Sequence, residues 1–427
     1  MLQTDVCIIG AGPGGAATAL KLSYLGIPNV LVDKARFPRD KVCGDAISGK
    51  VSTMFNRLDP AIMQRFEALS GQQIDVWGIK FVAPNGKQID VPFKVNYDKE
   101  RDPVPGYVSK RVDFDHFLIG EVQRRENIRF FEGVAVEEYE KLPDGFLVRS
   151  ADGDFELRCR MLIVANGAHS SFSRHYAGLA KDRRHHAGAV RAYFRNVSKM
   201  HDDNFIELHF LKEVNPGYFW IFPLPGGYAN VGLGMRTDHL SRRGVNLRKT
   251  LESLIDTHPA LKERFAGAER VGKVEGFGLP LGSKRRVISG DHYMLVGDAG
   301  HLIDPLTGEG IGNAVYSGFI AAEQAQQCLL HNQFSARYLR AYDKRVARVL
   351  GSEMKLSYQL QRMLRYIWLT NLLFNWVDRN RMLIDLISEM YSDFKLRRQL
   401  LNPVFWVKLL SGKVEWAKYR KTSDAAS

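Results

Sequence analysis

Cysteine is scarce in this chain of 427 residues: there are four, at positions 7, 43, 159 and 328. Thiols so few and so scattered argue against a disulfide scaffold. No two stand at metal-ligand spacing, which argues against a structural zinc site, and a reducing compartment is the expectation. Long apolar runs are missing too. None reaches the roughly 18 residues that a membrane-spanning helix needs. The N-terminus lacks the basic start of a signal peptide and turns glycine-rich within a few residues. The sequence therefore predicts a cytoplasmic protein, or one held peripherally on the inner face of a membrane. Internal repeats and low-complexity stretches are also lacking. Acidic residues are outnumbered, 47 against 60 Lys and Arg, for a net charge of +13. From His331 to Ser427 there are 18 Lys and Arg against 8 Asp and Glu, so +10 of that excess sits in the last 97 residues. A basic tail attracts an acidic surface, either nucleic acid or anionic lipid. What remains, 45% hydrophobic and 25% charged residues, is ordinary globular usage and enough chain for about two or three domains.

Val6-Cys7-Ile8-Ile9 is a short apolar run of the kind found in buried parallel strands. Gly10-Ala11-Gly12-Pro13-Gly14-Gly15 follows, then a helix over Ala16–Leu25, a turn at Gly26-Ile27-Pro28 and a second strand over Asn29–Asp33. Residues 75–100 alternate like antiparallel strands. A helix from Asp113 to about Arg125, a strand near Arg129–Val136 and the buried strand Leu162-Ile163-Val164-Ala165 resume α/β character. From about 187 to 285 the pattern is β again, Tyr293-Met294-Leu295-Val296-Gly297 returns to the buried-strand type, and a helix starts near Gly310. The expectation is an α/β protein: a Rossmann-type dinucleotide-binding domain (1–75, 101–186 and 287–330) interleaved with an antiparallel β-sheet substrate domain (76–100 and 187–286). A helical basic region (331–427) completes the chain.

Gly10, Gly12 and Gly15 form G-x-G-x-x-G after a strand and at the opening of a helix. The first glycine permits a tight turn, the second lets the backbone approach a pyrophosphate, and the third allows close helix–strand packing. Unpaired N–H groups at the helix start would hold the anion. Asp33 closes the second strand, where a carboxylate accepts from ribose hydroxyls. A Gly-rich turn without a ligand is the plainer alternative, and the motif does not separate FAD from NAD. Leu295-Val296-Gly297-Asp298-Ala299, followed by Pro305, Gly308, Gly310 and Gly312, supplies a second strand-end carboxylate and a second glycine-lined helix start. Two such ends suit a long flavin nucleotide, with Asp298 on a ribityl hydroxyl and the Gly310–Gly312 amides at the pyrimidine edge.

With Asn166-Gly167-Ala168-His169-Ser170-Ser171-Phe172-Ser173-Arg174, these motifs resemble the FAD-dependent hydroxylase superfamily of the p-hydroxybenzoate hydroxylase type. Lys41-Val42-Cys43-Gly44-Asp45 and Pro216-Gly217-Tyr218-Phe219-Trp220-Ile221-Phe222-Pro223 resemble, more narrowly, its geranylgeranyl reductase branch. The resemblance spans residue 1 to about 330. It implies FAD contacts at Gly14, Asp33, Cys43, Gly44, Ala46, Arg111, Val136, Asp298, Gly310 and Ile311, with Arg111 as the cation near the flavin phosphates. It also implies that NADPH or a ferredoxin-like donor reduces the flavin transiently, without a separate nicotinamide domain. Three positions depart from the pattern. Asn166 stands where the motif usually has Asp, Asp33 where Glu is commoner, and Asp45 where the branch often has a small or acidic residue.

The reaction so implied puts hydride from the flavin on one carbon of an isoprenoid double bond and a proton on the other. An isolated alkene is a poor hydride acceptor, so the protein must position it in a long apolar cavity and supply an acid. Tyr218, Trp220 and Phe222 alternate, so on a strand they share one face and would wall an isoprenoid chain; read without the resemblance, they are strand core. Cys43 is the candidate proton donor beside the flavin, against the ordinary reading of a buried, inert thiol. His185 and His186 follow Arg183-Arg184 in what reads as a solvated basic loop with no role.

In the tail, Met363-Leu364-Arg365-Tyr366-Ile367-Trp368, Phe405-Trp406-Val407-Lys408-Leu409-Leu410 and Trp416-Ala417-Lys418-Tyr419-Arg420-Lys421 set aromatic groups beside single cations. An amphipathic helical cap on the flavin domain is the preferred reading; contact with a lipid–water boundary is compatible with it. No nucleic-acid recognition motif accompanies the charge. The rival to a prenyl reductase is a flavin monooxygenase or halogenase, since Tyr218–Pro223 also resembles the Trp-x-Trp-x-Ile-Pro stretch of flavin halogenases. A non-catalytic flavin-binding partner protein is a third reading.

Overall fold

Val6 to Ile9 are fully apolar because their strand is covered on both faces and paired on both edges. Strand Leu2–Ile9 runs parallel to Glu156–Val164, with Cys7 opposite Leu162, and to Asn29–Asp33, with Ile8 opposite Leu31. The computed structural model, which describes residues 2–392, extends this into an eight-stranded sheet. Across it lie Ser289–Gly290, Tyr293–Leu295, Glu156–Val164, Leu2–Ile9, Asn29–Asp33 and Ile128–Glu132; a hairpin, Val136–Leu142 and Gly145–Ser150, adds to Glu156–Val164. The single strand expected over Arg129–Val136 is in fact two. Gly133, at φ +76°, ends the first, and Val136 opens the hairpin. That outer strand, Val-Glu-Glu-Tyr-Glu-Lys-Leu, has no apolar alternation to betray it.

Helix Pro13–Tyr24 begins three residues before the expected Ala16, because proline's fixed φ and missing N–H are tolerated in a first turn. It packs against the long helix Ile311–His331 along small residues. A Cβ added at Gly318 would lie 2.6 Å from the Gly14 carbonyl oxygen. Two elements some 300 positions apart in the chain are thus locked side by side.

The second sheet has seven strands in the order Glu269–Pro280, His186–Arg195, Tyr228–Arg236, Gly217–Leu224, Ile206–His209, Gly78–Val82 and Gln88–Pro92. Its neighbours are antiparallel except for the parallel pair Ile206–His209 and Gly78–Val82. One face buries Phe219, Ile221, Val231 and Leu233 beneath helices Leu247–Thr257 and Pro259–Phe265. Into that side the chain also buries a charge network. Arg264 donates through Nη2 to Glu207 Oε1 (2.8 Å), and His209 Nε2 lies 2.9 Å from Glu207 Oε2. Burial opposes the Glu207 charge, but the His209 and Arg264 hydrogen bonds prevail and hold its carboxyl down at about 2. The opposite face carries Ile79, Leu208, Trp220 and Phe222. A small sheet of Ala46–Ser48, Gly106–Ser109 and Gln73–Asp75, not anticipated from the sequence, lies at the same side.

The histidine pair is not in a solvated loop. His186 opens strand His186–Arg195 and its Nδ1 bonds Thr237 Oγ1 (2.8 Å), while His185 Nδ1 bonds Ser283 Oγ (2.7 Å). Burial pushes His186 down to about 4, so it stays neutral. Four helices end the described chain: Ala336–Val349, Gly351–Leu364, Ile367–Asp378 and Arg381–Ser392. Only the first belongs wholly to the Rossmann side, where the Tyr342 hydroxyl donates to the Leu295 carbonyl (2.7 Å). The helical cap expected on the flavin domain instead reaches the other sheet. Asn215 Nδ2 donates to the Leu364 carbonyl (2.8 Å), and Asn371 and Asn375 meet Asn85. The aromatic–basic clusters at 405–410 and 416–421 lie outside the described residues.

Candidate active site

Both glycine bends open into one cavity of about 2430 Å³. At the first, Gly12 caps helix Pro13–Tyr24 with no side chain bonded to its free N–H groups and no acidic residue in the first turn. At the second, Gly310 does the same for Ile311–His331. Helices of 12 and 21 residues thus aim their positive ends into the same space. A Cβ built on Gly12 would meet nothing nearer than Arg39 Nη2 at 3.8 Å, which is the room a bound pyrophosphate needs. Gly15 does not line the cavity. Its hydrogen faces the Gly10 carbonyl oxygen, which a Cβ would approach to 1.7 Å. The carboxylate of Asp33 accepts the Ala11 N–H (2.6 Å) and the Ala35 N–H (2.8 Å), so its shorter reach goes into shaping the loop while spare lone pairs still face the cavity. Asp298, Ile311, Val136 and Asn166 line the same space, and the buried Asn166 Oδ1 has no hydrogen-bond partner among the described residues. Uncapped donors at both ends, strand-end carboxylates and this orphan acceptor fit an extended dinucleotide.

Arg111 lines the cavity but is not a free cation. It opens helix Arg111–Gln123 and grips Asp115 one turn later with two bonds of 2.7 Å, Nε to Oδ1 and Nη2 to Oδ2. Burial works against its charge, yet the Asp115 carboxylate and the adjacent Cys43 sulfur raise it further, so the guanidinium stays protonated. Asp115 is also gripped by Arg39 Nη1 (2.6 Å), and Arg39 is the cation that faces Gly12. Sequence reasoning missed Arg39, because nothing in Arg-Phe-Pro-Arg-Asp distinguishes it from a surface loop. Lys41, of the Lys-x-Cys-Gly motif, stands 3.5 Å from Asp298 Oδ2 and 4.7 Å above the Phe277 ring.

Around Cys43 the chain builds a closed polar knot in an otherwise apolar wall. Asp45 is wholly buried and holds φ +68°, a left-handed backbone that Asp tolerates better than most side chains. Its Oδ2 accepts from Tyr193 Oη (2.9 Å) and Asn230 Nδ2 (2.7 Å), whereas its Oδ1 has no partner among the described residues. Burial pushes this carboxyl up to about 6, against the opposing pull of the Asn230 and Tyr193 hydrogen bonds and the Arg191 and Arg111 charges. Asn230 Nδ2 also donates to the Cys43 carbonyl (2.7 Å), and its Oδ1 accepts from Trp220 Nε1 (2.9 Å). One amide therefore ties the cysteine loop to the aromatic strand. Gly44 runs so close to that strand that a Cβ would stand 3.1 Å from Phe222 Cε2. Ala46 continues the same wall.

Tyr218, Trp220 and Phe222 all line the cavity, with ring centroids 6.0 and 6.2 Å apart in sequence, while Phe219 and Ile221 point to the opposite core. The Tyr218 hydroxyl donates to the Thr307 carbonyl, joining the wall to the loop before Gly310. Beyond the aromatics the space runs on between Ile79, Val91 and Leu208 of the sheet, Phe210 just after its strand, and Leu360, Phe374 and Leu386 of the last helices. A pocket of this size is more than twice the ordinary range of about 300–1,000 Å³ for a single small ligand. The remaining thiols are elsewhere: Cys7, Cys159 and Cys328 are buried in the Rossmann core.

A sequence profile of the FAD binding domain matches residues 3–350. The chain belongs to the FAD-binding flavoproteins, in their geranylgeranyl reductase family. A digeranylgeranylglycerophospholipid reductase of Thermoplasma acidophilum is 28% identical over 345 residues, 80% of this chain and 82% of that protein. A menaquinone reductase of Mycobacterium tuberculosis is 31% identical over 332 residues, covering 75% and 76%. Among solved structures, a geranylgeranyl bacteriochlorophyll reductase-like protein of Thermoplasma acidophilum superposes at a TM-score of 0.74 with 23% identity, over 97% of this chain and all of the other. A flavin-dependent brominase superposes at 0.72 with 19% identity, over 91% and 93%. The fold is thus common to reductases and halogenases.

Proposed function

We propose that this flavoprotein saturates double bonds of an isoprenoid chain carried on a lipid, quinone or diphosphate. One observation carries the reading: the cavity at the two glycine bends continues, without a partition, into a long apolar arm walled by Tyr218, Trp220 and Phe222. The relatives named as reductases of digeranylgeranylglycerophospholipid and of menaquinone support it. The Rossmann segments 1–75, 101–186 and 287–330 form the FAD side, and 76–100 with 187–286 the substrate side. NADPH or a ferredoxin-like donor delivers electrons to FAD transiently. The basic C-terminal region keeps the protein at a membrane surface, where an isoprenoid lipid resides.

Bound at this site, reduced FAD would be the source of hydride for one alkene carbon. Gly10, Gly12, Gly14 and the Pro13–Tyr24 helix end would hold its pyrophosphate with Arg39, and Asp33, Val136 and Asp298 would hold its sugar and ribityl portions. Gly310 and Ile311 present N–H groups where negative charge gathers on the flavin ring. The aromatic wall excludes water and aligns the alkene. Cys43 gives the proton to the second carbon from Sγ, and the charge left on sulfur faces the Arg111 guanidinium. Asn230 fixes both Trp220 and the Cys43 backbone, which keeps acid and substrate in register.

The test is anaerobic. Purified protein loaded with FAD and chemically reduced is mixed with a prenyl lipid, and the product is weighed by mass spectrometry. Addition of two hydrogens per bond, with the flavin returning to its oxidised spectrum, is the expected outcome. Reoxidation only in air, with oxygen or halogen in the product, rejects the reductase in favour of the monooxygenase or halogenase chemistry.

A further inference from the structure

Helix Ile367–Asp378 is apolar around most of its circumference. Its sequence, Ile-Trp-Leu-Thr-Asn-Leu-Leu-Phe-Asn-Trp-Val-Asp, has one polar stripe, Asn371, Asn375 and Asp378. That stripe is tied to the loop between strands Gly78–Val82 and Gln88–Pro92. The Asn85 N–H donates to Asn371 Oδ1 (3.1 Å), Asn85 Nδ2 to Asn375 Oδ1 (3.3 Å), and Lys87 pairs with Asp378. Among the helix residues only Thr370 is buried. A helix on a water-facing surface keeps its apolar residues to one core-facing stripe, whereas this one carries more than a single inner face can cover.

These apolar side chains do two things. Leu373, Phe374, Trp376 and Val377 line the cavity. Trp368 is 67% exposed and Leu372 56%, and Met382 of the next helix is 46% exposed. Leu372 and Met363 are exposed and line the cavity as well, so the apolar arm reaches the surface between helices Gly351–Leu364 and Ile367–Asp378. Arg362 and Arg365 flank Met363 in the chain, and Arg379 and Arg381 follow helix Ile367–Asp378; all four are exposed and, among the described residues, without a carboxylate within 4.0 Å. An apolar, tryptophan-bearing rim whose flanking cations have no carboxylate partner among the described residues is the surface that an anionic bilayer complements.

We propose that this rim is a membrane-seated portal: helix Ile367–Asp378 rests in the headgroup region of an anionic leaflet, and a prenyl chain passes from the hydrocarbon into the cavity between Met363 and Leu372 without crossing water. The seat deepens the prenyl-reductase reading and rests on it for what passes through, but its location is tested by binding alone. Trp368 and Met382 lie on the rim and do not line the cavity, so Trp368→Ser with Met382→Ser removes the seat and spares the substrate walls.

The full-length FAD-loaded protein is floated with vesicles of phosphatidylcholine alone or with about one-third phosphatidylglycerol. The wild type is expected to float with the anionic vesicles, less so in high salt, and its tryptophan emission to be quenched by brominated acyl chains. The double variant is expected to float about tenfold less and lose most of that quenching, with bound flavin unchanged. On a vesicle-embedded prenyl lipid its apparent KM rises, whereas on a detergent-dispersed one it matches the wild type. Undiminished flotation of the double variant overturns the portal. So does a wild-type dimer in solution that the double variant dissolves, because the rim then belongs to a second copy. Normal flotation with no reduction of any prenyl lipid leaves the seat standing and removes the reductase instead.

Discussion

Cys43 is the side chain on which the proposed proton transfer turns, and serine tests it with minimal change of shape. Cys43→Ser is expected to keep its flavin spectrum and lose about a hundredfold or more in single-turnover alkene reduction, the usual contribution of a positioned acid. Asp45 behind it behaves differently. In the unfolded chain its carboxyl ionises near the ordinary 3.8, and in the fold near 6, so the folded state favours the protonated form. Its contribution is therefore fully present below about pH 4 and is lost as pH rises through about 6. The difference is about 3 kcal/mol at roughly 1.4 kcal/mol per unit. Asp45→Asn, which keeps the left-handed backbone comfortable, is expected to remove that slope from urea-unfolding free energies measured at pH 4 and pH 7. Much of this was legible in the sequence, and the limit is instructive. Lys-x-Cys-Gly marked the loop, but Asp45 showed only as a departure from the pattern with no role attached, because its partners Tyr193 and Asn230 lie almost 150 and 185 positions away.

Elements carry the geometry that single residues cannot. The Gly10–Gly15 bend and its flanking strands were legible because every requirement is local: an apolar run, a turn and a helix start. A Cβ at Gly15 would sit inside the Gly10 carbonyl oxygen's van der Waals shell, so Gly15→Ala is expected to yield protein that retains no FAD on gel filtration. The alternation of Tyr218, Trp220 and Phe222 fixed their common face equally well, since a strand's period is two. What the sequence hid was non-local. The Glu-rich hairpin strand Val136–Leu142 looks like solvated chain, and Arg39 gains its meaning only from the helix that carries Asp115. Charge burial on the far side of the second sheet was equally hidden. Glu207 is held near 2 in the fold against an ordinary 4.5, so its stabilisation is present above about pH 4.5 and is lost as pH falls toward 2. Glu207→Gln strands Arg264 in an apolar layer and is expected to cost about 3 kcal/mol at pH 7, measured by urea denaturation.

At the scale of the whole molecule, the second sheet is assembled from two stretches, 78–92 and 186–280, so its inner face is the far wall of a cavity whose near wall is the Rossmann sheet's glycine bends. Wall volume should then set how far a chain threads. Leu208→Trp, far along the apolar arm, is expected to shift the product distribution toward fewer saturated bonds without loss of flavin, read by mass spectrometry. The last helices change the picture most: the sequence placed a cap on the nucleotide side, and the chain uses those helices to roof the substrate arm. The pairing of Pro13–Tyr24 with Ile311–His331 has its own consequence for biogenesis. A ribosome that has delivered the first 300 residues has made only one jaw of the nucleotide clamp. Cofactor capture must wait until the other emerges, and polypeptides released before that point should leave translation colourless.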